Sequence, residues 1–184
     1  MKLDITKAFD SVSWPFLLEV LKNLGFGPIW RDIICGLLAS SSTQILLNGS
    51  LGNKIAHRRG LRQGDPPSPM LFILVMDILC AMVKKASEEG LLQPLATRAL
   101  QQRISLYADD VVIFLHPAAE DIGVTLDILQ LFGEASGLQT NVKKVQSFLY
   151  IAGRKTEQSY LITSLVHFWN SLASILEYPF HQLS

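Results

Sequence analysis

Residues 104–115 read "ISLYADDVVIFL". Two adjacent carboxylates, Asp109 and Asp110, interrupt an otherwise apolar run, where like charges repel and burial is costly. The flanks "ISLY" and "VVIFL" predict two strands of a hairpin, with Ala108, Asp109, Asp110 and Val111 at or near the turn. Aspartate is common in tight turns, so turn chemistry is one sufficient reason for the pair. The N-terminal stretch "MKLDI" supplies another: it reads as a core strand in which Leu3 and Ile5 point one way and Asp4 the other. If both elements join one sheet, Asp4 comes within a few ångströms of Asp109. Divalent cations remove the repulsion in such a cluster and give a reason to keep it. Oxygen ligands suit Mg²⁺ or Mn²⁺ when phosphate oxygens complete the shell. Two such ions about 4 Å apart can activate a hydroxyl and stabilise a leaving pyrophosphate, which points to phosphoryl transfer.

Composition limits the alternatives. With 184 residues, 49% hydrophobic and only 17% charged, the chain suits one domain with a core and is a poor candidate for disorder. Lys+Arg 16 balance Asp+Glu 16, so overall charge lends no support to nucleic-acid binding, although a local basic patch is compatible with it. Cys35 and Cys80 lie in apolar helical contexts and are expected as core thiols, without disulfide or zinc spacing. The 4 histidines are too dispersed for a metal cluster. No signal peptide is expected, and "MLFILVMDILCAMV" (70–83) is short for a membrane span and contains Asp77, so it predicts a buried helix. These features leave the location open, with the nucleus or the cytoplasm expected if the chain is expressed.

Between the two acidic elements, "WPFLLEVLKNLGF" predicts an amphipathic helix with Pro15 in its first turn and Gly25 at its end. "GPIWRDIICGLLAS" predicts a second helix. "TQILLNG" and "NKIAHRR" predict paired strands across Asn48-Gly49. "GLRQGDPPSP" is a glycine- and proline-rich loop that launches a helix over about residues 69–85. Residues 87–101 are expected as a surface connection, and residues 118–135 as a helix broken by Gly137. "SFLYIAG" is a short strand candidate. The expected fold is α+β, a small antiparallel sheet with helices packed on one face. Residues 1–150 form the expected domain, and residues 151–184 a tail without a clean period.

Four blocks arrive in one order and carry a resemblance. "KLDITKAFDSVSW", "RRGLRQGDPPSPMLFILVMD", "YADD" and "FGEASGLQTNVKKVQSF" resemble the motifs of a reverse transcriptase palm from non-LTR retrotransposons, of the LINE type common in plants. The resemblance covers residues 1 to about 149. It implies an RNA-directed DNA polymerase that adds dNTPs to a DNA primer on an RNA template. It assigns Asp4 and Asp109 as metal ligands and Asp110 as the supporting carboxylate of the catalytic set. Asp10 falls outside that set and is expected to cap the Trp14 helix or pair locally.

The resemblance also assigns nucleotide-binding residues. Phe9 would lie under the incoming sugar and clash with a 2′-hydroxyl; its alternative is a core aromatic packed against the Trp14 helix. Gln63 would lie against the nucleotide and template base, and Gly64 would permit close backbone approach or an unusual dihedral. Lys144 would stand near the triphosphate, or be a solvated surface lysine. Arg58, Arg59 and Arg62 are candidate phosphate contacts or plain surface residues, and Tyr107 a floor beside the primer terminus or a strand aromatic.

Departures from the family pattern are specific. Pro67 stands where an apolar residue, usually Leu, is found. Val145 follows Lys144 in place of Ser or Thr. "EYPFHQLS" lacks the Tyr-Leu-Gly of the related segment. The resembling enzymes carry fingers before the first motif and a thumb after the palm, and neither is recognised here, so a palm fragment is expected. Two alternatives stand beside polymerase activity: an inactive retrotransposon remnant with residual binding, and another palm-type nucleotidyl enzyme such as a cyclase, which leaves "LRQGDPPSP" unexplained.

Overall fold

A computed structural model describes residues 1–95, 102–107 and 110–140. The chain opens with β1 (Lys2–Asp4), turns through Lys7 in a left-handed conformation into the short α1 (Ala8–Ser11), and continues into α2 (Trp14–Asn23) and α3 (Pro28–Ala39). Four two-residue strands follow, β2 (Ser42–Thr43), β3 (Leu46–Leu47), β4 (Ser50–Leu51) and β5 (Ile55–Ala56). Then come α4 (Ser68–Glu88), β6 (Ile104–Tyr107), β7 (Asp110–Ile113) and α5 (Ala119–Ser136). The main sheet is antiparallel with the order β1-β7-β6, so the N-terminal strand lies beside the acidic hairpin. The expected α+β class and antiparallel sheet are both present.

Alternation decides which face of the sheet is wet. Leu3, Val111 and Ile113 are fully buried and belong to one core with Leu17 and Leu21 of α2, Val75 and Leu79 of α4, and Ile128 and Phe132 of α5. Successive strand residues point to opposite faces, so Lys2, Asp4, Asp110 and Tyr107 stand on the face away from that core. Helix α4 carries its buried stripe on Leu71, Phe72, Val75, Met76, Leu79, Met82, Val83 and Ala86, which is the period of a helix buried along one side. Among the described residues, no helix is long and apolar enough to cross a membrane.

Several expectations need correction. The strands around Asn48-Gly49 do not form one continuous hairpin. The turn itself is as expected, with positive φ at both residues. Beyond it, β3 pairs with β4 and β2 with β5, while two residues on one arm face three on the other. The surface connection is anchored at its start: Leu92 is buried, the Gln93 amide donates to Asp121 Oδ1 at 3.2 Å, and Arg103 donates to the Gln93 carbonyl. Cys35 is exposed and Cys80 half-buried, so neither is a fully buried core thiol. The strand candidate "SFLYIAG" and the tail from residue 151 lie outside the described residues.

Candidate active site

The acidic elements meet in register. β1 and β7 pair antiparallel with Lys2 opposite Val112, Leu3 opposite Val111 and Asp4 opposite Asp110. On the other side of β7, Tyr107 is opposite Asp110. Asp4, Asp110 and Tyr107 therefore form one row across three strands on the open face, and Tyr107 is 83% exposed. Directly opposed residues of an antiparallel pair have Cα atoms about 5 Å apart. Two like charges at that separation are unfavourable unless a cation offsets them. A cation stands beside one of them: Lys2 Nζ lies 2.9 Å from Asp110 Oδ1. Lys2 sits one row along the same face, so the contact is diagonal across the two strands.

Asp109 and Lys144 lie outside the described residues. Among the described residues, no group of three or more His, Cys, Asp or Glu side chains is gathered as a metal site. The donor set formed by Asp4 and Asp110 nevertheless suits a hard divalent cation. It offers carboxylate oxygens on a solvent-open face, where water and phosphate oxygens can supply the remaining positions.

The loop after β5 is docked onto the segment after β1. The Gly60 amide donates to the Val12 carbonyl at 2.7 Å, and the Leu61 amide to the Phe9 carbonyl at 2.6 Å. The Trp14 indole Nε1 donates to the Gly60 carbonyl at 2.7 Å. Gly60 has φ +87°, and a Cβ there would lie 2.6 Å from the Asp10 carbonyl oxygen, so only glycine fits. The docking joins the segment that carries Phe9 to the loop that carries Arg62, Gln63 and Gly64. Arg58, Arg59, Arg62 and Gln63 are exposed, and Arg62 Nη1 is 3.9 Å from Asp65 Oδ1. Gly64 has φ +93°, the unusual dihedral expected of it.

The three prolines of "GDPPSP" leave the next helix intact. Pro67 is the N-cap of α4, where a missing amide costs no helical bond, and its carbonyl accepts from the Leu71 amide at 3.0 Å. Phe9 is half-buried and stacks on Phe72 of α4, with ring centroids 4.7 Å apart and planes 20° apart. Its stacking partner thus lies on α4. The Trp14 helix is capped by Ser13, whose hydroxyl accepts from the Phe16 amide at 3.5 Å, so the expected capping by Asp10 is replaced.

Lys2 and Gly60 are the residues that sequence reasoning passed over. For Lys2 the signal was present: it stands two residues before Asp4 on a strand, hence on the same face. Gly60 offered only a glycine beside arginines, which marks a loop but not the backbone it approaches.

Comparison with known proteins bears on the sequence that carries this geometry. Residues 1–165 match the family model described as reverse transcriptase (RNA-dependent DNA polymerase). The chain is 32% identical over 163 residues to a retrovirus-related Pol polyprotein from the type-1 retrotransposable element R2 of Popillia japonica. That match covers 86% of this chain and 26% of the relative. It is 29% identical over 150 residues to the transposon TX1 uncharacterized 149 kDa protein of Xenopus laevis, covering 81% of this chain and 11% of that protein. It is also 40% identical over 67 residues to an uncharacterized mitochondrial protein of Arabidopsis thaliana, covering 35% of this chain and 55% of that protein. The chain thus spans about a quarter or less of the length of the two transposon proteins.

Proposed function

We infer the activity from one premise: this chain belongs to the reverse transcriptase (RNA-dependent DNA polymerase) family, as a domain of the non-LTR, R2- and LINE-like retrotransposon type. We propose that it is the palm of an RNA-directed DNA polymerase, with an RNA template, a DNA primer and dNTPs as partners. The observation that carries this reading is the in-register Asp4–Asp110 pair on the open sheet face. A plant host is part of the proposal and rests on the motif resemblance.

In this proposal Asp4, Asp109 and Asp110 hold Mg²⁺ or Mn²⁺. When bound, the metal supplies charge stabilisation at the attacking and leaving oxygens. The chain's own residues position the reactants. Phe9, backed by Phe72, presents a ring that excludes a 2′-hydroxyl. Gln63 and Gly64 flank the nucleotide from the docked loop, and Lys144 neutralises triphosphate charge. Arg58, Arg59 and Arg62 take backbone phosphates, and Tyr107 lines the floor beside Asp110. A remnant without catalysis is the competing reading. It is favoured by the departures at Pro67 and Val145.

The test is primer extension on an RNA template by a polypeptide that spans the full length of the relatives and contains this segment. Single variants Asp4→Asn and Asp109→Asn should each lower dNTP addition by about a hundredfold or more, because misplacing the reacting groups is that costly. Addition that persists in both variants would remove the assignment.

A further inference from the structure

The ammonium of Lys2 already occupies the carboxylate row. Lys2 Nζ lies 2.9 Å from Asp110 Oδ1, on the same sheet face as Asp4 and two residues from it. Both side chains are more than half exposed, so the contact is not locked by packing. Exposed pairs of this kind contribute little to stability, and their geometry alone gives no reason for a lysine at that place. A reason appears when the row is read as a cation site. Two opposed carboxylates without a counter-charge repel each other, and the lysine supplies one positive charge from within the chain.

We propose that Lys2 is a built-in counter-cation of this site, which stabilises the carboxylate row without metal and yields Asp110 when a divalent ion binds. The inference rests on the reading of Asp4 and Asp110 as metal-holding residues. It assigns Lys2 a positioning role that sets how tightly the site takes a divalent cation. The lysine competes for a carboxylate oxygen and adds positive potential beside the ion. A unit charge and a divalent ion a few ångströms apart in water, reduced by salt screening, shift affinity by about threefold to tenfold. Weak intrinsic binding makes uptake depend on the ligands that arrive with the metal, which suits a cation whose shell is completed by phosphate oxygens.

The experiment is direct titration of the 184-residue chain with Mn²⁺ alone, read by the electron paramagnetic resonance signal of the free ion. Variants are Lys2→Met, Lys2→Arg and Asp110→Asn, all at exposed positions. Lys2→Met should bind Mn²⁺ about threefold to tenfold more tightly, with the gain shrinking at high salt. Lys2→Arg, which keeps the charge, should stay within about twofold of the parent. A second readout is thermal unfolding. In chelator, Lys2→Met should melt below the parent, and added Mn²⁺ should raise its midpoint more than the parent's. If Asp110→Asn weakens binding while Lys2→Met leaves it unchanged or weaker, the Lys2 role is overturned and the metal site stands. If neither the parent nor Lys2→Met binds Mn²⁺, or if Asp110→Asn has no effect, the metal reading fails and the Lys2 role falls with it.

Discussion

Gly60 and Val12 are joined by a 2.7 Å hydrogen bond from the Gly60 amide to the Val12 carbonyl, 48 positions apart in sequence. With the Leu61–Phe9 bond beside it, this is a two-bond clasp between a loop and the short α1 segment that follows the first strand. Its tightness depends on the missing side chain. Gly60→Ala places a Cβ against the Asp10 backbone and imposes φ +87° on a residue that avoids it. The expected loss is about 2–3 kcal/mol of folding stability, read by urea unfolding. Trp14→Phe removes the indole bond to the Gly60 carbonyl with a modest loss of ring volume and should cost about 1–2 kcal/mol. Equal, negligible losses in the two variants would show that the loop is not clasped.

The two cysteines should separate cleanly in reactivity. Cys35 is exposed on α3, whereas Cys80 is half-buried on α4 and its thiol is pushed above the ordinary range, first by burial and then by the nearby Asp77 carboxylate. The thiolate is the reacting species, so Cys80 carries less of it at any pH below its own titration. Alkylation of the folded chain at about pH 8, followed by peptide mapping, should label Cys35 first and Cys80 slowly. Denaturant should abolish the difference. Preferential labelling of Cys80 in the folded chain would contradict the orientation of both helices.

Much of this fold was legible because its signals are local. The patterns of "MKLDI" and "ISLYADDVVIFL" predicted strands and made them candidates for one sheet, which the β1–β7 pairing forms. Pro15, Gly25 and Gly137 marked helix ends, and Gly137 does take φ +80° at the close of α5, with the Ser11 carbonyl packed against it. The failures were non-local or lacked contrast. Helix α3 is apolar nearly all round, with Ile29, Ile33 and Leu37 exposed while Ile34 and Leu38 are buried, so its period could not show which side Cys35 takes. The Lys2–Asp110 pair is diagonal across two strands and needs the register, which only the assembled sheet provides. The slip between the two short pairings near Asn48 leaves no mark in composition. For the candidate site, the sequence put Asp4 near Asp109 on a shared sheet; the register pairs Asp4 with Asp110, while Asp109 and Lys144 fall outside the described residues.

Acid should stabilise this chain through Asp127. Burial on α5 pushes its carboxyl above the ordinary aspartate value. The folded state then holds a proton that the unfolded state releases, so stability falls as pH rises from the unfolded value through the folded one. Above that window the charged form is the less favourable one. Asp127→Asn should therefore raise the thermal midpoint at about pH 7 and change it little at about pH 3, where both states are protonated. Calorimetry at the two pH values checks the sign. A lower midpoint for the variant at the higher pH would mean that the Asp127 charge is stabilising.

Phe9 carries a prediction about sugar choice. Its ring stacks on Phe72, which is buried in the core, so the ring is held from behind. A backed ring is a rigid obstacle, and a 2′-hydroxyl meeting it has no room. In the polypeptide that spans the full length of the relatives, Phe9→Ala should raise ribonucleotide incorporation relative to deoxyribonucleotide incorporation. The effect is steric discrimination of one added hydroxyl, of order tenfold to a hundredfold. Parallel primer extensions with dNTPs and rNTPs measure the ratio. An unchanged ratio, alongside a loss of stability from the broken stacking, would make Phe9 a core aromatic and nothing more.

The 184 residues by themselves should not polymerise processively, even with their carboxylates intact. Extension requires the primer hydroxyl, the α-phosphate and the metal-holding carboxylates to be aligned, and small misplacements cost orders of magnitude. It also requires that the duplex stay in place between additions. Grip on nucleic acid scales with the number of phosphates neutralised, and it weakens steeply with salt when that number is small. Among the described residues, the positive charge on the proposed site includes Lys2, Arg58, Arg59 and Arg62, of which Lys2 pairs with Asp110 and Arg62 lies near Asp65. The chain as a whole has formal net charge +0, so no general field draws nucleic acid to it. The expectation is weak, salt-sensitive binding of a primer–template duplex, with at most single additions at low ionic strength. Primer extension on an RNA template with purified chain, Mg²⁺ and dNTPs tests it, beside an Asp109→Ala, Asp110→Ala control. Extension by many nucleotides that disappears in the control would establish these 184 residues as a minimal working reverse transcriptase, and would show that alignment and grip are both built into this sheet and its docked loop.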